Sequence, residues 1–250
     1  MRLRLIRNAT MRLDYAGHIL LLDPFLAPKA SLQSLSGVSR NPLVDLPCSP
    51  VEVIAGVEAV VVSHLHRDHF DDLAKQLLPK DLPLFCQPPD EASIAESGFT
   101  DIRPLAGKAE WNGITITRTD GEHGVNSKSV QELGPVSGFV FSAAGEPVVY
   151  WAGDSVWCKP VKEAVSYFKP DVVVTHSSGS SLEDSGLIVM DADQTLAVLK
   201  AAPKAVVVAV HMESLDHGKL SRAGLRAAAD AAGVDPARLL IPADGEVLSL

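Results

Sequence analysis

Apolar and polar residues alternate from the start of the chain. Leu3, Leu5, Met11 and Leu13 sit between polar neighbours, and His18 to Asp23 turns apolar after Tyr15-Ala16-Gly17. A period of two puts alternate side chains on one face, so these residues predict two or three antiparallel strands, the last closed by Asp23-Pro24. A Pro/Ser-rich stretch from Pro28 to Pro50 predicts a long ordered loop, and such loops often carry function. Ala59 to Val62 is a short β-branched run, the mark of a fully buried strand. Asp71 and Asp72 then open a helical pattern with Leu73, Leu77 and Leu78 on one face. Leu84 to Cys86 reads as a short strand, and Asp90 to Ser97 as a short helix with Asp90 at its N-cap and Gly98 beyond its end. Asn112-Gly113 is a hairpin signal, after which Ile114 to Thr119 alternates as a half-buried strand. Gly138 to Ser142 and Pro147 to Ala152 flank Ala144-Gly145-Glu146 as a second hairpin, and Val161 to Phe168 is helical.

The last third changes character. Asp171 to Thr175, Ala205 to Val210 and Leu239 to Ile241 read as buried strands. Between them lie a helix capped by Asp193 and running through Ala202, and one from Ser221 to Ala232 ended by Gly233. Hairpins first and βα alternation later predict an α/β protein with sheets covered by helices, not an all-β barrel.

Composition narrows the possibilities. The chain has 250 residues, 46% of them hydrophobic, with no low-complexity linker, which predicts one domain over residues 1–250. A net charge of −9 argues against nucleic acid and anionic membranes as partners and for a small-molecule substrate. The three cysteines are scattered singly, so neither a thiolate zinc site nor a disulfide framework is indicated. The first 22 residues lack the apolar core of a secretory signal, and no run approaches the roughly 20 apolar residues of a membrane span. The expected location is cytoplasmic. A homo-oligomer is left open.

The chemistry concentrates in His64-Leu65-His66-Arg67-Asp68-His69, on a strand-to-helix turn. On extended backbone His64 and His66 point the same way and reach one ion, whereas Asp68 and His69 lie past the bend and aim elsewhere. That spacing suggests two adjacent metal positions. Burying such a cluster unpaired would cost several kcal/mol. Other metal-competent residues follow the ends of other strands: His123 after Ile114–Thr119, Asp154 after Val148–Ala152, His176 after Asp171–Thr175 and His211 after Ala205–Val210. Sheets gather ligands at the carboxyl ends of their strands, so these groups are expected to converge. Imidazoles and carboxylates suit borderline divalent ions, zinc first, with manganese or iron as alternatives. Two ions about 3.5–4 Å apart hold a hydroxide and stabilise a displaced oxygen, which is a hydrolase design.

The HxHxDH motif of His64 to His69, followed by His123, the Gly153-Asp154 strand end and His211, resembles the metallo-β-lactamase superfamily over essentially the whole chain. The resemblance implies an αβ/βα sandwich of two mixed sheets with the metals at one edge. It also implies that His64, His66 and His123 hold a first ion, Asp68, His69 and His211 a second, and Asp154 bridges them. Asn8-Ala9-Thr10, Leu22-Asp23-Pro24, Asn41-Pro42 and Pro242 to Gly245 most resemble the single-domain members related to L-ascorbate-6-phosphate lactonase. Those members commonly carry Gly-His before Ala-Thr. Arg7-Asn8 stands here instead, so a function resting on that histidine is not carried over.

The expected activity is metal-bound hydroxide attack on a small polar substrate such as a lactone or ester. A phosphodiesterase is the alternative on the same fold, and a non-catalytic metal-binding scaffold or sensor the alternative of another class. Asp68 is the candidate proton carrier, as general base or leaving-group acid. Asn41 in the long loop, His176 and His217 are candidate substrate contacts. For His176 the competing reading is a polar turn behind the ligands. His217 competes with His211 as the last ligand, and the strand-end position favours His211 because ligands need rigid support.

Overall fold

The computed structural model describes residues 1–34, 36–182 and 186–250. Two seven-stranded sheets form its centre. The first comprises β1 (Arg2–Arg7), β2 (Thr10–Tyr15), β3 (His18–Leu22), β4 (Ala59–Val62), β5 (Leu84–Cys86), β6 (Ile102–Pro104) and β16 (Val247–Ser249), in the order β16-β1-β2-β3-β4-β5-β6. The second comprises β7 (Lys108–Trp111), β8 (Ile114–Asp120), β9 (Ser137–Ser142), β10 (Val149–Trp151), β11 (Val172–His176), β14 (Val206–Val210) and β15 (Leu239–Leu240), in the order β15-β14-β11-β10-β9-β8-β7. β12 (Ser181–Leu182) and β13 (Gly186–Leu187) pair separately. Each large sheet is half antiparallel and half parallel: β3 pairs β4 in parallel in one, and β10 pairs β11 in parallel in the other.

Turn chemistry sets the antiparallel halves. The β7–β8 hairpin turns on Asn112 (φ 48°) and Gly113 (φ 79°), as the Asn-Gly signal predicts. The β2–β3 hairpin turns on Ala16 and Gly17, also both at positive φ. In the parallel halves the strands are apolar throughout because both faces are buried. Val61 of β4 faces the space between the sheets, while Val60 and Val62 face the outer helices. In β14, Val208 and Val210 face inward and Val207 and Ala209 outward.

The outer layers are helical. α1 (Pro50–Ile54), α2 (Asp72–Leu77) and α3 (Glu91–Glu96) lie with the first sheet, and Val53, Ala74 and Ile94 pack on its outer face. α5 (Lys159–Phe168), α6 (Ala192–Ala201) and α7 (Arg222–Ala231) cover the second through Val161, Val198 and Leu225. This is the αβ/βα sandwich that the resemblance implies, built from the sheets and covering helices that the residue patterns predict.

Local differences have simple causes. α6 is capped by Asp191, whose side chain accepts from the Gln194 amide, so Asp193 lies in the first turn instead. Asp90 makes no side-chain cap; it closes a short 3₁₀ turn, Pro88–Asp90, and Gln87 Nε2 donates to its Oδ2. The sequence pattern did not reveal α1 or α4 (Ser127–Leu133), because each is too short for a helical period to register. Both are held by capping boxes, at Ser49 and Asn126.

Candidate metal centre

The carboxyl ends of β4, β8, β10, β11 and β14 bring their histidines and aspartates to one edge of the sandwich. Two ligand-competent groups result. His64, His66 and His123 place one nitrogen each within 4.8 Å of one another, and His69, Asp154, His176 and His211 do the same beside them. All but His66 are buried.

The imidazoles are oriented by the nitrogen that points away from the cluster. Ser63 Oγ donates to Asp23 Oδ2 at 2.6 Å, so it accepts from His64 Nδ1 at 2.9 Å. That fixes the proton on Nδ1 and leaves His64 Nε2 a buried acceptor without a partner. His66 Nε2 donates to the Leu133 carbonyl at 3.0 Å, which frees its Nδ1. His123 Nδ1 donates to the Ile188 carbonyl at 2.8 Å. His69 Nδ1 donates to Asp23 Oδ2 at 2.7 Å, and His211 Nδ1 lies 3.4 Å from Ser178 Oγ.

The other nitrogens face one another. His69 Nε2 is 3.2 Å from His211 Nε2 and 3.2 Å from Asp154 Oδ2. Two imidazole nitrogens at that distance need a proton or a cation between them. Together with the orphaned His64 Nε2, this donor set fits divalent cations of the zinc, manganese or iron type.

Charge follows the same division. Burial holds the His64 imidazolium pKa well below the ordinary histidine value, helped by His69 and His66, and lowers His123 to about 4. Both are neutral at pH 7, as metal ligands must be. Burial also opposes the His69 and His211 imidazolium forms, but the facing carboxylates outweigh it. Asp154, Asp68 and Asp23 raise His69 well above the ordinary value, and Asp154 and Asp68 raise His211. Asp154 and Asp68 are ionised: burial opposes their charge, and the imidazoles of His69 and His211 more than offset it.

The remaining candidates fall around this centre. Asp68 Oδ2 lies 3.1 Å from His211 Nε2 and 3.3 Å from His69 Nε2. His176 is fully buried; its Nδ1 is 2.5 Å from Asp154 Oδ1 and its Nε2 has no partner. Its ring stacks on His211 with centroids 5.1 Å apart. His217 is 7% exposed, and Asn41 and His217 line a cavity of about 380 Å³ with His66 and Asp68.

Two contributors entered the sequence reading as parts of the resemblance, with no role at the site assigned to them. Asp23 binds Ser63 and His69 together; the abrupt end of an apolar strand at Asp-Pro was its signal. Asn8, at φ 57°, donates from Nδ2 to the Asp68 carbonyl and Oδ2, while its own carbonyl accepts from the His211 amide at 2.9 Å. Its signal was the Asn8-Ala9-Thr10 turn between β1 and β2, where relatives commonly carry Gly-His before Ala-Thr.

Known proteins share this fold. A family model described as a β-lactamase superfamily domain matches residues 18–212. UPF0173 protein YddR of Bacillus subtilis is 37% identical, over 98% of each chain. A crystal structure of a possible metal-dependent hydrolase from Veillonella parvula superposes with TM-score 0.96 at 34% identity, covering 100% of this chain and 99% of that one. An isothiocyanate hydrolase from Delia radicum gut bacteria superposes with TM-score 0.94 at 39% identity over the same shares. With the fold, the convergent His/Asp cluster and these relatives in agreement, the chain belongs to the metallo-β-lactamase superfamily and is a metal-dependent hydrolase.

Proposed function

We propose that residues 1–250 act as one domain that hydrolyses a small, largely apolar electrophile at a dinuclear metal centre. The observation that carries this reading is the cavity above Asp68 and His66. Phe25, Leu32, Leu65, Leu133 and Leu215 supply apolar walls, and Gln33, Asn41, Arg67, Glu132 and His217 supply polar and charged groups beside them. The apolar walls suit a hydrocarbon body with one compact reactive head. Lactones and simple esters meet that description. So do isothiocyanates, and the similarity to the Delia radicum isothiocyanate hydrolase supports them as the leading class. This departs from the lactonase-like substrate that the resemblance implied.

His64, His66 and His123 would hold one ion, and Asp68, His69 and His211 the other, with Asp154 serving both. Bound there, the ions supply Lewis-acid activation of water and of the substrate heteroatom. The residues do the rest. Asp68, ionised and tethered by Asn8, accepts the water proton at Oδ2 and returns one to the leaving group. The apolar walls hold the body and exclude bulk water. For an isothiocyanate, water oxygen bonds to the central carbon. The resulting thiocarbamate then loses its C–N bond, so that R–N=C=S and H2O give R–NH2 and COS.

The test is a turnover screen of metal-loaded protein with alkyl and aryl isothiocyanates, lactones, esters and an activated phosphodiester. Amine release from isothiocyanates at low salt sensitivity is expected. Phosphodiester turnover with isothiocyanates, lactones and esters all inert would overturn the reading.

A further inference from the structure

One wall of the cavity comes from the long loop (Leu32, Gln33 and Asn41) and another from the segment after β14 (Leu215 and His217). Between them stands Asp216, whose side chain is only 3% exposed. Ser34 Oγ and Ser36 Oγ each donate to its Oδ2 at 2.6 Å. The amides of Ser39 and Val38 donate to the same oxygen at 2.9 and 3.2 Å. Asn41 Nδ2 donates to Oδ1 at 3.1 Å, and the Asp216 amide donates back to Asn41 Oδ1 at 3.1 Å. These donors hold the carboxyl well below its usual range although burial pushes it up.

Arg40 ties the loop to itself by donating to the Ala30 and Ser31 carbonyls at 2.7 and 2.6 Å, and the Leu43 amide ties its end to the Ser214 carbonyl at 2.8 Å, but none of these bonds reaches the 36–39 stretch. Residues 36–40 are exposed, and Val38 is 75% exposed, so burial does not fix this stretch. The wall it supports is apolar and mutual: Leu32 packs on the cluster of Phe25, Ala27 and Leu215. Leu32 is also tied to Asn41 by a reciprocal pair of backbone hydrogen bonds of 2.7 and 2.9 Å. Whatever holds Asn41 therefore holds Leu32.

The geometry points to Asp216 as a positioning residue that sets the width of the substrate cavity, by gathering Ser34 and the 36–41 stretch onto its carboxylate and so fixing Leu32, Gln33 and Asn41 against Leu215 and His217. Asp216 touches neither the ligand cluster nor, on this account, the substrate. Its role is to make the cavity selective for the body of the molecule, and this rests on the hydrolase reading of the same cavity.

Asp216→Asn keeps the shape but turns a pure acceptor into a group that also donates toward hydroxyls and amides already donating. Ser34→Ala/Ser36→Ala is the milder variant, which removes two donors and leaves the carboxylate. Three measurements are needed on the metal-loaded full chain: metal content, hydrogen exchange of the Val38 and Ser39 amides, and kinetics with methyl and 2-phenylethyl isothiocyanate. Unchanged metal content, faster exchange, and a KM for the bulky substrate raised about tenfold with kcat within about threefold are expected. The ratio of kcat/KM between the two substrates should move in both variants, less in the double-serine one. Unaltered exchange overturns the latch, and altered exchange with an unaltered ratio overturns its control of selectivity. If the wild type turns over only lactones or esters, a short and a long ester replace the isothiocyanates. If it turns over none of these, the proposed substrate class fails by itself, while exchange, which needs no substrate, still decides whether the carboxylate holds the loop.

Discussion

A histidine becomes a ligand through what stands behind it. Asp23, Ser63, Ile188 and Leu133 each take the outward nitrogen of one imidazole and so aim the other inward. His211 leaves the end of β14 at φ 64°, with its amide bound to Asn8, whereas His217 lies beyond a further turn, its Nδ1 making no hydrogen bond and lying 3.7 Å from Asp216 Oδ1. We expect His211→Ala to lose the second ion and His217→Ala to keep both while slowing turnover. Metal titration of both variants by calorimetry checks this, and loss of an ion from the His217 variant alone would reverse the roles. His176→Ala removes the group that bonds Asp154, and support behind a ligand is commonly worth about 10–100-fold in metal affinity. Competition with a coloured chelator would read that loss. Away from the centre, burial pushes the Asp90 carboxyl up to about 6, with a further push from Asp23. An acid whose folded pKa is raised contributes stability that is complete below its unfolded value, about 4, and is lost as pH rises through about 6. Asp90→Asn should therefore stabilise the metal-free protein by roughly 1–3 kcal/mol at pH 7.5 and by nothing at pH 4. Urea unfolding at the two pH values decides it.

At the scale of elements, the site is a set of strand ends, and the turns after them are as constrained as the ligands. Gly153 delivers Asp154 from β10 at φ +67°, and a Cβ there would meet the Ser137 carbonyl oxygen of β9 at 2.4 Å. Backbone is in the way, so neither a rotamer nor a small shift relieves the clash. Gly153→Ala should cost about 1–3 kcal/mol of stability and weaken metal binding, because Asp154 moves with the turn. Thermal unfolding and metal content of the purified variant test both parts; a variant as stable and as fully loaded as the wild type would refute the account. Strand ends were legible because buried strands leave an unmistakable apolar run. α4 was not, although its Leu133 carbonyl orients His66. A seven-residue polar helix has no periodic face to recognise, and its cap is a local bond at Asn126.

At the scale of the molecule, the centre joins the two sheets. His64, His66 and His69 follow β4 of the first, and His123, Asp154 and His211 follow strands of the second. Ions bound between them should staple the sandwich. At a free concentration near 1,000 times Kd, one site adds about 4 kcal/mol, or roughly 8–16 °C in Tm for a chain of this size. Chelation should lower Tm by that order, and re-addition should restore it. Loading must also expel the protons that the carboxylates hold on His69 and His211, so apparent affinity should strengthen from pH 6 to pH 8. Calorimetry in two buffers of different ionisation enthalpy counts those protons; equal heats in both would contradict the raised values.

What the sequence determined by itself is the part written in local patterns. Alternation and buried runs specified the strands, Asn112-Gly113 and its like specified the hairpins, and the HxHxDH spacing specified a metal-binding turn. Those are short-range facts, because a side chain two residues away on extended backbone has its direction set by the backbone alone. The tertiary structure decided which distant groups share a site. It brought Asp23 against His69, Asn8 against Asp68, His176 against Asp154, and the loop of Ser34 and Asn41 onto Asp216. Each of these rests on one or a few polar contacts between elements far apart in the chain. A single contact leaves no periodic trace; it exists because sheet order and register bring the two backbones together.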